Sequence, residues 1–392
     1  MIYLDHHATT PVAPSVLEAM IPWMTAHFGN PHSHTHQVGR EAANACEAAL
    51  RSIASLSGGF EDSILVTSGA TESNNLAIDG VMRHPRQRRR HVITAATEHP
   101  AVLDPVMRLE REGFRVTVLP VRSQGEELCG QLDLAALRAA IDSDTALVSI
   151  MSANNEIGTI QPLKEIAEIA HDAGALFHCD ATQSVGRVPL NMGELDIDLL
   201  SASAHKFYGP KGVGLLAIGK KRRIRLRPLM EGGGQQHGLR SGTMNVAGLI
   251  GMSEALRLCC QESELEYHRQ MSLRNRLWQQ LRGRFPDLVI NGPTFESMDC
   301  TTASRLPNNL NLSFADVEGE TLMAAAPELA ISSGSACSSI DPRPSHVLMA
   351  IGLSESRARR SLRFGLGRTT TTEEIDAAAE MLSMAYAKVL SG

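Results

Sequence analysis

No apolar run in this chain is long enough to span a bilayer, so a helical membrane anchor is not expected. The opening Met1-Ile2-Tyr3-Leu4-Asp5 lacks the basic and apolar regions of a secretory leader. The seven cysteines, Cys46, Cys129, Cys179, Cys259, Cys260, Cys300 and Cys337, are odd in number, scattered and without C-x-x-C spacing. Neither a disulfide framework nor a zinc site follows, and a reducing cytoplasm suits them best. A net charge of −6 gives no general pull toward nucleic acid or a membrane surface. Internal repeats and low-complexity linkers are also missing. What remains is an ordinary globular composition, 43% hydrophobic over 392 residues, enough for a large core and two domains.

The middle of the chain alternates strands with helices. Apolar runs predict strands at Ser63–Thr67, His91–Ala95, Arg115–Val121, Ala146–Met151, Leu176–Cys179, Asp198–Ser203 and Val213–Ile218. Between them lie helical patterns, as from Pro162 to Ala173. This predicts an α/β fold with a mostly parallel, seven-stranded sheet covered on both faces. One long helical stretch is expected from about Val246 to Arg284, then a smaller α+β region ending in a helix from Thr372 to Leu390. The expected division is a large domain, 15–246, and a small domain built from 1–14 and 247–392.

Two strand ends carry unusual side chains. Asp180 ends the run at Ala175–Cys179, and Lys206 follows the run at Ile197–Leu200. A buried lysine is costly unless it has a task, because desolvation opposes its charge. Pyridoxal phosphate (PLP) chemistry needs such a pair. The lysine amine binds the aldehyde, and the carboxylate keeps the pyridine nitrogen protonated. A surface lysine and a helix-capping aspartate remain the plainer alternative on these two residues alone.

Other segments collect at strand ends. Thr67-Ser68-Gly69-Ala70-Thr71-Glu72 opens a helix after a strand, where backbone amides can hold an anion. Ser203 and His205 could complete a phosphate cup with it. His99 stands where a ring could stack on the pyridine and shuttle protons, though a lone histidine is more often structural. Asn154-Asn155 and Gln183 offer amides for the cofactor's phenolic oxygen. Ile331 to Ser339 is a small-residue segment around Cys337, whose neighbours cannot build an apolar shell. It is read as a mobile loop with a reactive thiol. No basic residue lies within five positions, so any thiol activation must come from the folded site.

Taken together, Asp5-His6-His7-Ala8-Thr9-Thr10-Pro11, Gly29-Asn30-Pro31-His32-Ser33, Ser68-Gly69-Ala70-Thr71-Glu72-Ser73-Asn74-Asn75, Glu98-His99, Asn154-Asn155-Glu156-Ile157-Gly158, Asp180-Ala181-Thr182-Gln183-Ser184, His205-Lys206, Arg240-Ser241-Gly242-Thr243, Ser333-Gly334-Ser335-Ala336-Cys337 and Arg363-Phe364-Gly365-Leu366-Gly367-Arg368 form an ordered set. That set resembles the NifS-type cysteine desulfurases, within the class V aminotransferases, and in its Cys337 segment their long-loop branch. The resemblance implies a fold-type I PLP enzyme acting on L-cysteine, a homodimer with its site at the subunit interface. By position, Lys206 resembles the Schiff-base lysine, Asp180 the pyridinium partner and His99 the ring-stacking acid/base. Asn155 and Gln183 match the phenolic-oxygen positions. Ala70, Thr71, Ser203 and His205 match phosphate positions, and Thr243 matches one reaching the phosphate of the other subunit. Arg363 resembles the clamp on the substrate carboxylate, for which a planar fork is suited. Cys337 matches the nucleophile that becomes a persulfide and passes sulfur to an acceptor protein.

Departures from the pattern bear on partners. Gln236-His237 stand where the family often has Glu-Arg, near the expected dimer interface. The chain ends at Gly392, soon after its last helix, whereas members that dock an iron–sulfur scaffold carry a longer tail, so that partner stays open. Thr294 to Arg305 reads as an extra loop without a role. His32, His34 and His36 alternate but lack nearby carboxylates, so no metal is expected. Arg86 to Arg90 reads as solvated surface. Lys220 to Arg227 reads as that or as a surface for an acidic partner; RNA is disfavoured because no aromatics interleave the charges. Two alternatives to a desulfurase remain: a PLP enzyme on another amino acid, such as a selenocysteine lyase, and a non-enzymatic sulfur carrier. The Cys337 segment speaks against the first, and Lys206, Asp180, His99 and Cys337 together speak against the second.

Overall fold

The structure, a computed structural model, describes residues 1–59, 63–294, 303–333 and 344–391. Its centre is a seven-stranded sheet in the order Ile64–Thr67, Gly214–Ile218, Leu199–Ser203, Leu176–Asp180, Thr145–Ser149, His91–Ala95, Arg115–Leu119. All pairings are parallel except those of Gly214–Ile218, antiparallel to both neighbours. Each expected strand is present, displaced by a residue or two at its ends.

Alternation along the strands explains the layering. Val66, Ile93, Val148, Phe177 and Leu200 face one core. Leu65, Val92, Leu147, Leu199 and Leu216 face the other. Helix Ala70–Met82 covers the second face with Leu76, Ile78 and Val81. Helices Gln37–Ser57, Leu163–Asp172 and Val246–Gln261 cover the first. A continuous apolar strand is stable only with both faces covered in this way. The edge at Ile64–Thr67 is capped by Gln236, whose Oε1 accepts from Val66 N at 2.6 Å while its Nε2 donates to Val66 O at 2.9 Å.

A third core lies beneath a four-stranded antiparallel sheet, ordered Ser332–Ser333, Ser361–Gly365, Asn309–Ser313, Val289–Ile290. Helices Ser263–Arg284 and Thr372–Ser391 pack on it. The single long helix expected over 246–284 is therefore two, broken at Glu262 (φ −113°, ψ 13°). One straight rod could not serve both cores. Leu249, Met252 and Leu256 bury against the large sheet, whereas Leu273, Leu277 and Leu281 bury against the small one.

Several polar features read as surface or ligand candidates are structural. Arg89 Nη1 donates to Thr145 O, Ala173 O and Gly174 O, at 3.0, 3.1 and 2.6 Å. Arg222 pairs with Asp196 and Asp198, so the basic run 220–227 is partly neutralised. His36 caps helix Gln37–Ser57, Nδ1 accepting from Gly39 N. Arg305, at the end of the extra loop, is buried and donates to Asn291 O, Pro293 O and Asn309 O. Residues 295–302 of that loop lie outside the described residues.

The sheet interior also holds two histidines bridged across strands. His91 links Thr145 and Thr117, and His178 links Ser149 and Ser201 at 2.8 and 3.0 Å. Burial pushes His178 down to about 4. The unfolded chain takes up a proton near pH 6.5 that the folded chain refuses until about pH 4. The folded state therefore loses stability as pH falls through that window, by up to ~3 kcal/mol. Denaturant melts from pH 7 to 4 should show this loss, and His178→Gln should flatten its slope. Equal slopes for the two proteins would show that His178 is not the group responsible.

Candidate active site

A cavity of about 630 Å³ opens at the C-terminal ends of the parallel strands. Lys206, His99, Asp180, Ala70, Thr71, Asn155, Gln183, Ser203, His205 and Arg363 all line it. Thr243 does not; it is exposed on the segment after the Gly-rich turn. Cys337 and residues 334–339 of the expected mobile loop Ile331–Ser339 lie outside the described residues, while its first three residues belong to the small sheet and its core, Ile331 buried and Ser332–Ser333 paired as a strand with Leu362 and Arg363.

Asp180 ends its strand with both oxygens engaged. Asn74 Nδ2 donates to Oδ2 at 2.7 Å, and Thr182 N donates to Oδ1 at 3.0 Å. His99 caps helix Pro100–Arg111, its Nδ1 accepting from Ala101 N at 3.0 Å. That leaves the neutral ring's proton on Nε2. Burial lowers the pKa of His99; Asp180 opposes this and Lys206 adds to it. Lys206 sits in a 3-10 turn after strand Leu199–Ser203, and Nζ donates to the carbonyls of His7 and Ala8 at 2.6 and 2.7 Å.

The opposite end of the cavity suits an anion. Helix Ala70–Met82 begins there, with first-turn N–H groups that have no acceptor inside the helix. Gly69 precedes it at φ +151°, where a Cβ would sit 3.5 Å from Ser203 Oγ. Gly214 lets the neighbouring strand approach, since a Cβ there would lie 2.6 Å from Gly69 Cα. His205 Nδ1 lies 3.1 Å from Thr9 Oγ1. Burial, with the lysines at 206 and 211 beside it, pushes His205 down to about 4.

On the side of the small sheet, Arg363 is buried, with Nη2 donating to Asp5 Oδ1 at 2.8 Å and Nη1 to Asn155 O at 3.3 Å. Its Nε has no partner among the described residues. An arginine fork beside an amine, a carboxylate and an imidazole can orient an amino acid by its carboxylate.

The class-V aminotransferase family model matches residues 2–378. Cysteine desulfurase IscS of Anaeromyxobacter dehalogenans is 48% identical over 380 residues, 97% of this chain and 91% of that protein. A solved NifS-like protein superposes with a TM-score of 0.88 at 35% identity, covering 98% of this chain and 99% of the other. The solved structure of SspA in complex with cysteine gives 0.79 at 34%, covering 93% and 99%. The chain belongs to the class-V aminotransferase family, on its cysteine desulfurase branch.

Within that family frame, several residues at the site escaped the sequence reading. Asn74, which holds Asp180, was quoted only as part of a motif. Arg187 was missed entirely. It is buried, and donates to Gln183 O and Oε1 (3.1 and 2.6 Å), His6 O (3.2 Å) and Lys206 O (2.8 Å). His7 Nδ1 also meets Gln183 Oε1 at 3.0 Å, and Gln183 Nε2 donates to His7 O at 3.1 Å. The Gln183 amide is thus largely committed to protein partners, with one N–H left for a ligand. The four-residue spacing of Gln183 and Arg187 was the available signal. Arg187→Met should leave buried carbonyls unpaired and cost on the order of 3 kcal/mol in denaturant melts. Arg187→Lys should recover little, because one ammonium cannot replace the fork. A wild-type melt for Arg187→Met would mean the hub is not needed.

Proposed function

We propose that the chain is a PLP-dependent cysteine desulfurase, which converts L-cysteine to L-alanine and keeps the sulfur as a persulfide on Cys337. One observation carries this reading: Asp180, His99, Lys206 and Arg363 share one cavity with an anion-suited helix start. The branch membership and the cysteine held by a solved neighbour support it. The residues present suit PLP. Lys206 would hold its aldehyde, Asp180 its pyridine nitrogen, and the Gly69–Thr71 helix start with Ser203 and His205 its phosphate. Asn155 and Gln183 would serve its phenolic oxygen. When bound, the cofactor supplies an electron sink for the substrate's Cα.

The chain's own groups do the rest. Arg363 holds the substrate carboxylate. Lys206 Nζ takes the proton from Cα. His99 Nε2 carries a proton it can give or regain. The Cys337 thiolate attacks the substrate sulfur, so that an S–S bond forms as the substrate Cβ–S bond breaks. Elimination among the cysteines leaves Cys300 and Cys337, both outside the described residues, and the Ser333-Gly334-Ser335-Ala336-Cys337 motif favours Cys337. Burial pushes Cys46 and Cys129 up to about 11 and Cys259 up to about 12. It raises Cys179 and Cys260 as well. None of these five supplies thiolate readily at neutral pH. Lys206→Ala should produce no alanine from L-cysteine, and Cys337→Ser should bind L-cysteine yet release no sulfide. Normal alanine production by Cys337→Ser would end the persulfide reading.

We further propose a cytoplasmic homodimer that hands sulfur to an acceptor protein, in a pathway such as iron–sulfur cluster biogenesis. The division between the large and small domains at 14/15 is supported by Leu4 and Val16 joining different cores, whereas Leu249, Met252 and Leu256 join the large core, so the second division falls at the break at Glu262 and not at 246/247. Among the described residues no helix is long and apolar enough to cross a membrane. Helix Pro14–Met24 supports the dimer. Its inner face buries Val16 and Met20, while Leu17, Ile21 and Met24 leave a second apolar stripe outside, near Phe28 at 74% exposure. Thr243, exposed in one protomer, would complete the partner's phosphate site. Light scattering should give twice the chain mass, and Ile21→Asp with Phe28→Glu should shift it toward the monomer. An unchanged dimer in the double variant would locate the interface elsewhere.

A further inference from the structure

Glu98 is the most unusual titratable group near the site that the reaction above leaves unused. It follows strand His91–Ala95, beside His99, and is fully buried. Oε1 accepts from Met151 N at 2.7 Å, and Oε2 has no partner among the described residues. Among the described residues, the charged and titratable groups around it offer no counter-ion. Asp180 is a like charge, and Cys179 is a buried neutral thiol. His346, from the small-domain side, donates Nε2–H to the Glu98 carbonyl oxygen at 2.9 Å and not to its carboxyl. An ionised carboxylate in that position would be an unpaired buried charge next to another anion.

The contacts of Glu98 reach the cavity through its neighbours. Its carboxyl holds Met151, and Asn154 Nδ2 donates to Thr97 O at 2.9 Å. These two bonds clasp the turn carrying His99 to the turn carrying Asn155, and Met151 itself lines the cavity. The Glu98 carboxyl oxygen therefore supplies one of the two bonds that fix these strand-end turns.

We propose that Glu98 is a positioning residue that works as a neutral carboxylic acid, its Oε1 fixing the Met151 turn against His99 while its proton spares Asp180 a second negative charge. Burial, reinforced by Asp180, pushes its pKa well above the ordinary carboxyl range. Neutral carboxyl groups close to an ionised one recur in active sites for this reason. The effect on turnover rests on the desulfurase reading; the protonation state does not.

The test uses the full-length protein, with and without added PLP. An infrared difference spectrum of wild type minus Glu98→Gln at pH 7.5 should show the carbonyl band of a protonated carboxyl. Its absence would overturn the proposal even in a protein with no activity on L-cysteine. In denaturant melts, the unfolded chain loses the Glu98 proton above its ordinary pKa, while the folded chain keeps it. The ratio of folding constants, Glu98→Gln over wild type, should therefore rise about tenfold per pH unit above about pH 5. A flat ratio would overturn the neutral assignment, and any constant offset from the substitution does not affect it. For turnover, Glu98→Gln keeps an acceptor for Met151 N and should retain most activity. Glu98→Ala leaves that N–H unpaired and should lose at least tenfold in kcat. Equal activities for the two variants would overturn the positioning role.

Discussion

The amine of Lys206 is held by two backbone carbonyls, those of His7 and Ala8, and the rest of the site is arranged around that clamp. Neither carbonyl belongs to the large sheet. The N-terminal segment crosses the strand ends, and each step of it is fastened. Asp5 pairs with Arg363, His6 O accepts from Arg187, and Thr10 Oγ1 donates to His205 O. Arg187 closes the circuit by donating to the carbonyl of Lys206 itself. These bonds lie in a water-poor interior, where each is stronger and each unpaired member costs more. The segment thus ties the amine of Lys206 to the arginine of the small sheet.

Asp180 and Glu98 show how placement alone divides two buried carboxyls. Asp180 receives N–H donors on both oxygens, one from Asn74 and one from Thr182. Glu98 receives one donor and faces Asp180 as a like charge. The first environment stabilises an anion that can hold a cationic ring nitrogen. The second opposes a charge, and leaves a group that can only accept and donate hydrogen bonds. The same logic lowers His205 near Lys206 and Lys211 and keeps it neutral beside the anion end. Anion binding there rests on backbone N–H groups and hydroxyls more than on a charged ring.

Much of this was legible in the chain. Continuous burial marks the strands of the large sheet other than Arg115–Leu119 because both sheet faces are covered, so apolar runs stand out against polar connections. Asp180 and Lys206 were visible because they interrupt such runs at their ends. Arg187 was not, since its four acceptors are backbone and amide oxygens contributed by three separate segments. The helix break at Glu262 was hidden for a related reason. Both halves are helical by local pattern, and only the existence of two cores forces the turn between them. Arg89 read as surface because its neighbours Arg86, Arg88 and Arg90 are exposed, while it alone reaches the carbonyls of a helix end and a strand.

The segment 334–343 is bracketed by contacts with the site. On one side, Ser332 pairs in register with Arg363 in the small sheet. On the other, Ser345 Oγ donates to the buried carboxyl of Glu156 at 2.5 Å, and His346 bonds the Glu98 carbonyl. Glu156 belongs to the turn that carries Asn155, whose carbonyl meets Arg363. Its own carbonyl accepts from Asn309 and Asn311 of the small sheet. Both flanks of the segment are therefore anchored to residues that line or brace the cavity. Flanks fixed in this way raise the effective concentration, at the cavity, of whatever group the segment between them carries. Under the proposed function that group is the Cys337 thiol, and among the described cysteines Cys46, Cys129, Cys179 and Cys259 are buried and Cys260 is half-buried, so burial sets them against a competing role.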